Sequence, residues 1–477
     1  MLENIFHMNS DNKNILVKAG IWYTLGNFLS KGAVFLSTPI FTRMMLPDAI
    51  GVYSNIISWF QILVSFITFN MFVSLNVARF DYKEELDDYI KSVLLYGSFF
   101  TVLAYGIIYL NIEKLITILS IPNYAVHLIF VYMIVYPALQ FLQQKNLFEY
   151  KYKLSSFLTI ISIVLSVAFS LLLAYYLDDK LLGRTIGYFI PLIIINVVIY
   201  IQFLMKGKFS LKYMKYTFCI AFPMLWHSAA TQVLNAGDRL VITYYIGDTA
   251  NAFYSIAYTC AMIASVLWSS MNSAWVPWAF EKMNALSIFE MKRVSRKYIL
   301  IYSYIIIFML LFSPELVLIM GGRAYMESSN CLPPIIIGFF CQFVYSLYIN
   351  IEFYLKQQLR IALSTVVASL VNIILNIIFV PIYGYLAAAY TTLLGYLLLF
   401  LFHYLSVKNL GKCDWLDNRF NISITIVFIV LMPIFIYLNQ FIGIRYALGV
   451  LLICYLLHKV ASNIKILKTY IKARRLS

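Results

Sequence analysis

Apolar runs of membrane-crossing length follow one another almost from end to end of this 477-residue chain, parted by short polar turns. A spanning helix needs about 20 predominantly apolar residues. The runs predict fourteen such helices, at roughly 19–42, 50–78, 90–112, 124–144, 155–177, 185–205, 216–246, 251–280, 298–320, 331–355, 361–380, 384–407, 420–440 and 444–463. The fold class this implies is an all-α polytopic membrane protein, with no large soluble domain between the spans.

Polar positions inside the runs recur at helical spacing. In the seventh span His227, Thr231, Asn235 and Asp238 fall four, four and three residues apart, which places them on one helix face. Arg239 follows at once. Polar groups in hydrocarbon are costly, so such a row faces a cavity or a partner helix. We read it as one wall of a polar chamber, with Pro223 removing a backbone hydrogen bond and offering a kink. In span one Lys31 lies about 18 Å deep at ~1.5 Å per residue, near the midplane, on the face that carries Asn27. An uncompensated lysine there costs about 2.5–3.5 kcal/mol, which points it at a wet interior able to receive an anion. Glu352 and Lys356 are four residues apart, the spacing of a structural ion pair.

The polar rows repeat. Span two carries Ser54, Ser58, Gln61, Ser65 and Thr68; 201 residues on, span eight carries Ser255, Thr259, Met262, Val266 and Ser269. Spans five and eleven carry the rows Thr159, Ser162, Ser166, Ser170 and Thr365, Ser369, Asn372, Asn376. A constant offset predicts two six-span halves of the same orientation, related by an axis along the membrane normal. The expected division is residues 1–210, 211–410, and an extra helix pair with a basic tail over 411–477.

Composition narrows the class. Hydrophobic residues make up 62% and charged residues 12%, far from a soluble globule. The net charge of +15 does not imply nucleic acid, because the basic residues sit in loops of one side. Outside the spans only Arg43, Lys114, Lys180, Arg184, Arg323 and Arg445 lie on the other side. Positive charge marks the cytoplasmic face, so both termini are expected inside. The six cysteines show no metal-ligand spacing. No nucleotide loop and no nucleophile–base pattern is present, so neither a cofactor nor an enzymatic step is expected.

Three stretches carry a resemblance. They are DRLVITYYIG with AFYSIAYTCA and NSAWVPWAF in spans seven and eight, NIILNIIFVPIYGYLAAAYTTLLGY over spans eleven and twelve, and GNFLSKGAVFLSTPIFTRMMLPDAIGVYS at the start. Together they resemble the Wzx-type polysaccharide repeat-unit flippases of the multidrug/oligosaccharidyl-lipid/polysaccharide (MOP) exporter superfamily. The last stretch places the first periplasmic turn at Asp48 to Ser54. The resemblance implies a V-shaped pair of six-helix bundles in the bacterial inner membrane. It implies passage of an undecaprenyl-pyrophosphate-linked oligosaccharide, for O-antigen or capsule, from the cytoplasmic to the periplasmic leaflet by alternating access. Such a protein works as a monomer beside a polymerase. Lys31, Arg239, Asn27, Asn235 and Gln61 are then expected to meet substrate, and Asp238 and His227 to couple an ion. Alternatives within the superfamily are a multidrug antiporter, which prefers an acid-lined pocket, and a lipid II flippase, whose branch has fourteen spans.

Overall fold

The computed structural model describes residues 10–149 and 151–474. Long helices occupy the predicted positions. They are α1 (Ser10–Met44), α2 (Pro47–Ile67), α3 (Leu86–Tyr109), α4 (Asn123–Phe148, interrupted at Pro137), α5 (Tyr152–Tyr176), α6 (Lys180–Met205) and α7 (Lys212–Tyr245). The second series is α8 (Asp248–Asn284), α9 (Ile288–Leu311), α10 (Leu332–Tyr354), α11 (Gln358–Tyr383), α12 (Tyr385–Asn409), α13 (Asn418–Leu438) and α14 (Ile442–Arg474). Among the described residues, 12 helices are long and apolar enough to cross a membrane, against the predicted fourteen. The two outside this count are α1, much of which lies outside the residues whose side chains are described, and α7, on which the sequence places Asp238 and Arg239. The polar row of α7 lowers the apolarity that defines a span.

Packing repeats with a shift of six helices. In the first half α5 runs along α6 and against α1; in the second, α11 runs along α12 and against α7. Likewise α3 lies on α4 as α9 lies on α10. Small residues permit the closest of these approaches. A Cβ at Gly187 of α6 would stand 2.4 Å from Ser170 Cα of α5, and one at Gly183 would stand 2.6 Å from Leu173 O. Helices α13 and α14 pack on the outside of the second half, against α9 and α10. Arg445 of α14 ties that pair down, donating to Glu315 Oε2 at 2.5 Å and Oε1 at 2.9 Å.

The halves meet where α2 runs along α7 and α8. Helix α2 begins at Pro47, so Asp48 to Ser54 is helical and not the turn expected from the sequence. The N-terminal ends of α2 and α8 cross so closely that a Cβ at Gly51 would fall 1.8 Å from Asp248 O. Ser54 and Ser255, the two members of one predicted repeat position, share a hydrogen bond of 2.6 Å across that crossing. Asn251 Nδ2 donates to Gly51 O at 3.0 Å. The opposite end of α7 is strapped to the first half. Lys212 Nζ reaches Glu85 at 2.5 Å, Tyr213 Oη donates to the same carboxylate at 2.8 Å, and Tyr216 Oη donates to Asp81 at 2.5 Å. Helix α7 therefore starts on one half and ends inside the other.

Candidate functional site

Lys31 lies on the wall of a cavity of about 400 Å³ between the halves. Ser30 and Phe35 of α1 and Ile163 of α5 form one side; Thr259, Met262 and Val266 of α8 form the other. The last three are consecutive members of the row read in span eight. Lys31 is exposed, and no acidic side chain lines the cavity. The space is an apolar slot with one ammonium in it, suited to an anion with an apolar or uncharged body. Asn27 is outside the residues whose side chains are described. Gln61 is half-buried on α2, and no described residue accepts from or donates to its side chain.

The α7 row is turned elsewhere. Asp238 is 1% exposed and points into the second half, not into the cavity. Tyr254 Oη and Thr392 Oγ1 each donate to its Oδ2 at 2.6 Å, and Asn376 Nδ2 donates to Oδ1 at 2.5 Å. Asn372 accepts from Asn376 at 3.3 Å, and Thr391 donates to Asn376 Oδ1 at 2.5 Å. A carboxylate facing three donors is held as an acceptor, its charge offset by hydrogen bonds from α8, α11 and α12. Asn235 accepts from Tyr396 of α12 at 3.3 Å. Arg239 stacks on Tyr258 of α8, 4.3 Å from the ring centre, and donates to Asn235 O at 2.9 Å. The predicted chamber wall is thus a seam within the second half. Lys31 and Arg239 are not brought together on one cavity surface.

His227 is half-buried, and its Nδ1 is sealed from solvent without a partner. On α12, His403 is fully buried. His403 Nδ1 lies 2.6 Å from Glu352 Oε2, with both side chains at 0% exposure. This corrects the expected Glu352–Lys356 pair: Lys356 sits past the end of α10 with a φ of 58°, which turns it away from the helix face. Pairing within one helix is the local alternative, but a buried acid takes the partner its own depth supplies. The sequence offered no signal for this contact. The partners of Asp238 were closer to legible, since Asn372 and Asn376 belong to the polar row noted in span eleven.

A family profile described as "Polysaccharide biosynthesis protein" matches residues 16–283, more than half the chain. The chain belongs to this polysaccharide biosynthesis protein family. No curated protein matches its sequence. Among solved structures, this family member is similar to "Lipid II flippase MurJ, inward closed conformation", at 17% identity and a TM-score of 0.68, over 94% of this chain and 100% of that one. It is also similar to an inward-facing multidrug resistance MATE family transporter of the MOP superfamily (14% identity, TM-score 0.58, 80% and 96% covered). The MATE transporter VcmN of Vibrio cholerae gives 13%, 0.54, and 84% and 99%. These likenesses establish the fold: the polysaccharide biosynthesis family member shares the all-helical arrangement of the lipid II flippase and MATE transporter structures.

Proposed function

We propose that the protein moves a lipid-linked oligosaccharide across the bacterial inner membrane, its pyrophosphate and sugars passing between the halves while the lipid tail stays in the bilayer. The observation that carries this reading is Lys31, without an acidic partner among the described residues, on a cavity that both halves line. A cation at membrane depth without a fixed counter-ion is a costly feature unless a mobile anion uses it. The charge count puts the Ser54–Ser255 seal at the periplasmic face, so the cavity is closed on the side of release. Residues 1–210 and 211–410 act as the two moving bodies, and residues 411–477 ride on the second. Asn27 and Gln61 on the first body, and Asn235 and Arg239 on the second, are the supporting substrate contacts. Asp238 and His227 carry the coupling ion within the second body, and transport is the work of a monomer beside a polymerase.

The test is to delete the gene and follow the lipid-linked repeat unit. The expected result is accumulation in the inner leaflet and loss of surface glycan, restored by the wild-type chain and not by Lys31→Ala at equal protein level. Surface glycan that persists without a second flippase in the cell would refute the reading. The likeness to the lipid II flippase over nearly the whole chain favours a second reading, in which the cargo is lipid II. Depletion would then stop growth with lipid II held inside, and surface glycan would fall only as a consequence.

A further inference from the structure

Arg184, in the first turns of α6, is a cation with no acidic partner among the described residues. Its guanidinium lies 3.7 Å from the centre of the Tyr53 ring on α2 and 4.1 Å from that of Phe41 on α1. It also reaches Met45 Sδ at 3.9 Å. Its Nε is sealed from solvent and has no partner. The charged or titratable groups facing it among the described residues are two phenols, Tyr53 and, from the second half, Tyr325. Stacked rings compensate a guanidinium only in part, and a planar fork of donors is built for phosphate or carboxylate oxygens.

The surroundings are the seam between the halves. Phe41 and Met45 pack into the hydrophobic core of the second half. Next to them Thr42 Oγ1 donates to Met320 O at 2.7 Å, and Arg43 donates to Ile319 O at 3.3 Å. Two turns into α2 lies the Ser54–Ser255 contact. These contacts join residues of opposite halves, so all of them part when this face opens, and water then reaches Arg184. We propose that Arg184 is an anion site of the exit: closed, its stacking on Phe41 and Tyr53 braces the first half's face of the seam, where Phe41 enters the core of the second half; open, it takes the phosphate oxygens of the outgoing headgroup. The phosphate assignment rests on the function proposed above, while the seam-holding role does not.

The experiment reads seam opening in the full-length protein in cells, with the exposed or half-exposed cysteines removed (C219S, C413S, C454S). S54C is labelled from outside with a membrane-impermeant thiol reagent, with and without inorganic pyrophosphate. We expect slow labelling that pyrophosphate accelerates several-fold. R184Q should label several-fold faster than its parent without pyrophosphate and gain nothing from adding it. R184K, which keeps charge but loses the planar stack, should label fast and still respond. Labelling of R184Q at the parental rate overturns the seam-holding role. A pyrophosphate response that R184Q retains, or that the parent lacks, overturns the anion site. Protein level and thermal stability of each variant guard against misfolding. If the Arg184-dependent response is present but gene deletion leaves the glycan intact, the anion site stands and the cargo assignment falls.

Discussion

At the scale of single residues, three described charges within the spans divide by what faces them. Asp238 has three donors, Glu352 has an imidazole, and Lys31 has open space. Each predicts a different phenotype. Lys31→Ala removes no partner from anything, so protein level and melting temperature should hold while transport falls by an order of magnitude or more in a flipping assay. His403→Ala leaves a fully buried carboxyl without its partner; an unsatisfied buried polar group costs about 1–3 kcal/mol, so melting temperature should drop whatever happens to transport. Asp238→Asn keeps the shape of the side chain and discards its charge. If Asp238 binds the coupling ion, transport by this variant should no longer respond to the ion gradient, and purified protein should remain folded. Periodicity located the α7 row but could not say which way it turned. A face of four polar residues is satisfied equally by a wet cavity and by a neighbouring helix with amides and hydroxyls at the same depth. Here the second prevailed, because Asn372 and Asn376 stand opposite Asp238 and Asn235 meets Tyr396.

Between whole helices the decisive feature is how near their backbones come. Gly183 and Gly187 hold α6 against α5 inside one half, whereas Gly51 holds α2 against α8 across the two. An added methyl should therefore act differently at each place. Gly187→Ala must spread a contact within a rigid bundle, and lowered stability is the expected outcome in a thermal-shift measurement. Gly51→Ala spreads a contact between moving bodies, and its effect should be a shift in population toward the state open at this face, read by faster outside labelling of S54C. A Gly51→Ala protein that melts early and labels no faster would place α2 and α8 in one rigid unit. The helices themselves were legible because runs of about 20 apolar residues leave little alternative in a bilayer. Less legible was the difference between α7 and its neighbours: a helix strapped to one half by Glu85 and Asp81 and buried in the other by Asp238 needs polar residues at both ends, so it reads as a poor span.

For the molecule as a whole, the internal repeat decides how the halves can move. Helix pairings recur six helices apart, and the two halves meet at equivalent positions of α2 and α8. The paired substitutions S54C and S255C should form a disulfide under oxidation, given hydroxyl oxygens 2.6 Å apart. That cross-link should stop transport, and a reducing agent should restore it. The meeting of Ser54 with Ser255 also bears on origin. A position that touches its own counterpart is what a rotational dyad makes of a single residue. A half-length ancestor with six helices could have made this contact as a homodimer, with no second sequence needed. Fusion of two such copies would then have freed each to drift, the earlier keeping a lone ammonium and the later gaining a sheltered carboxylate, while the serine on the axis served both.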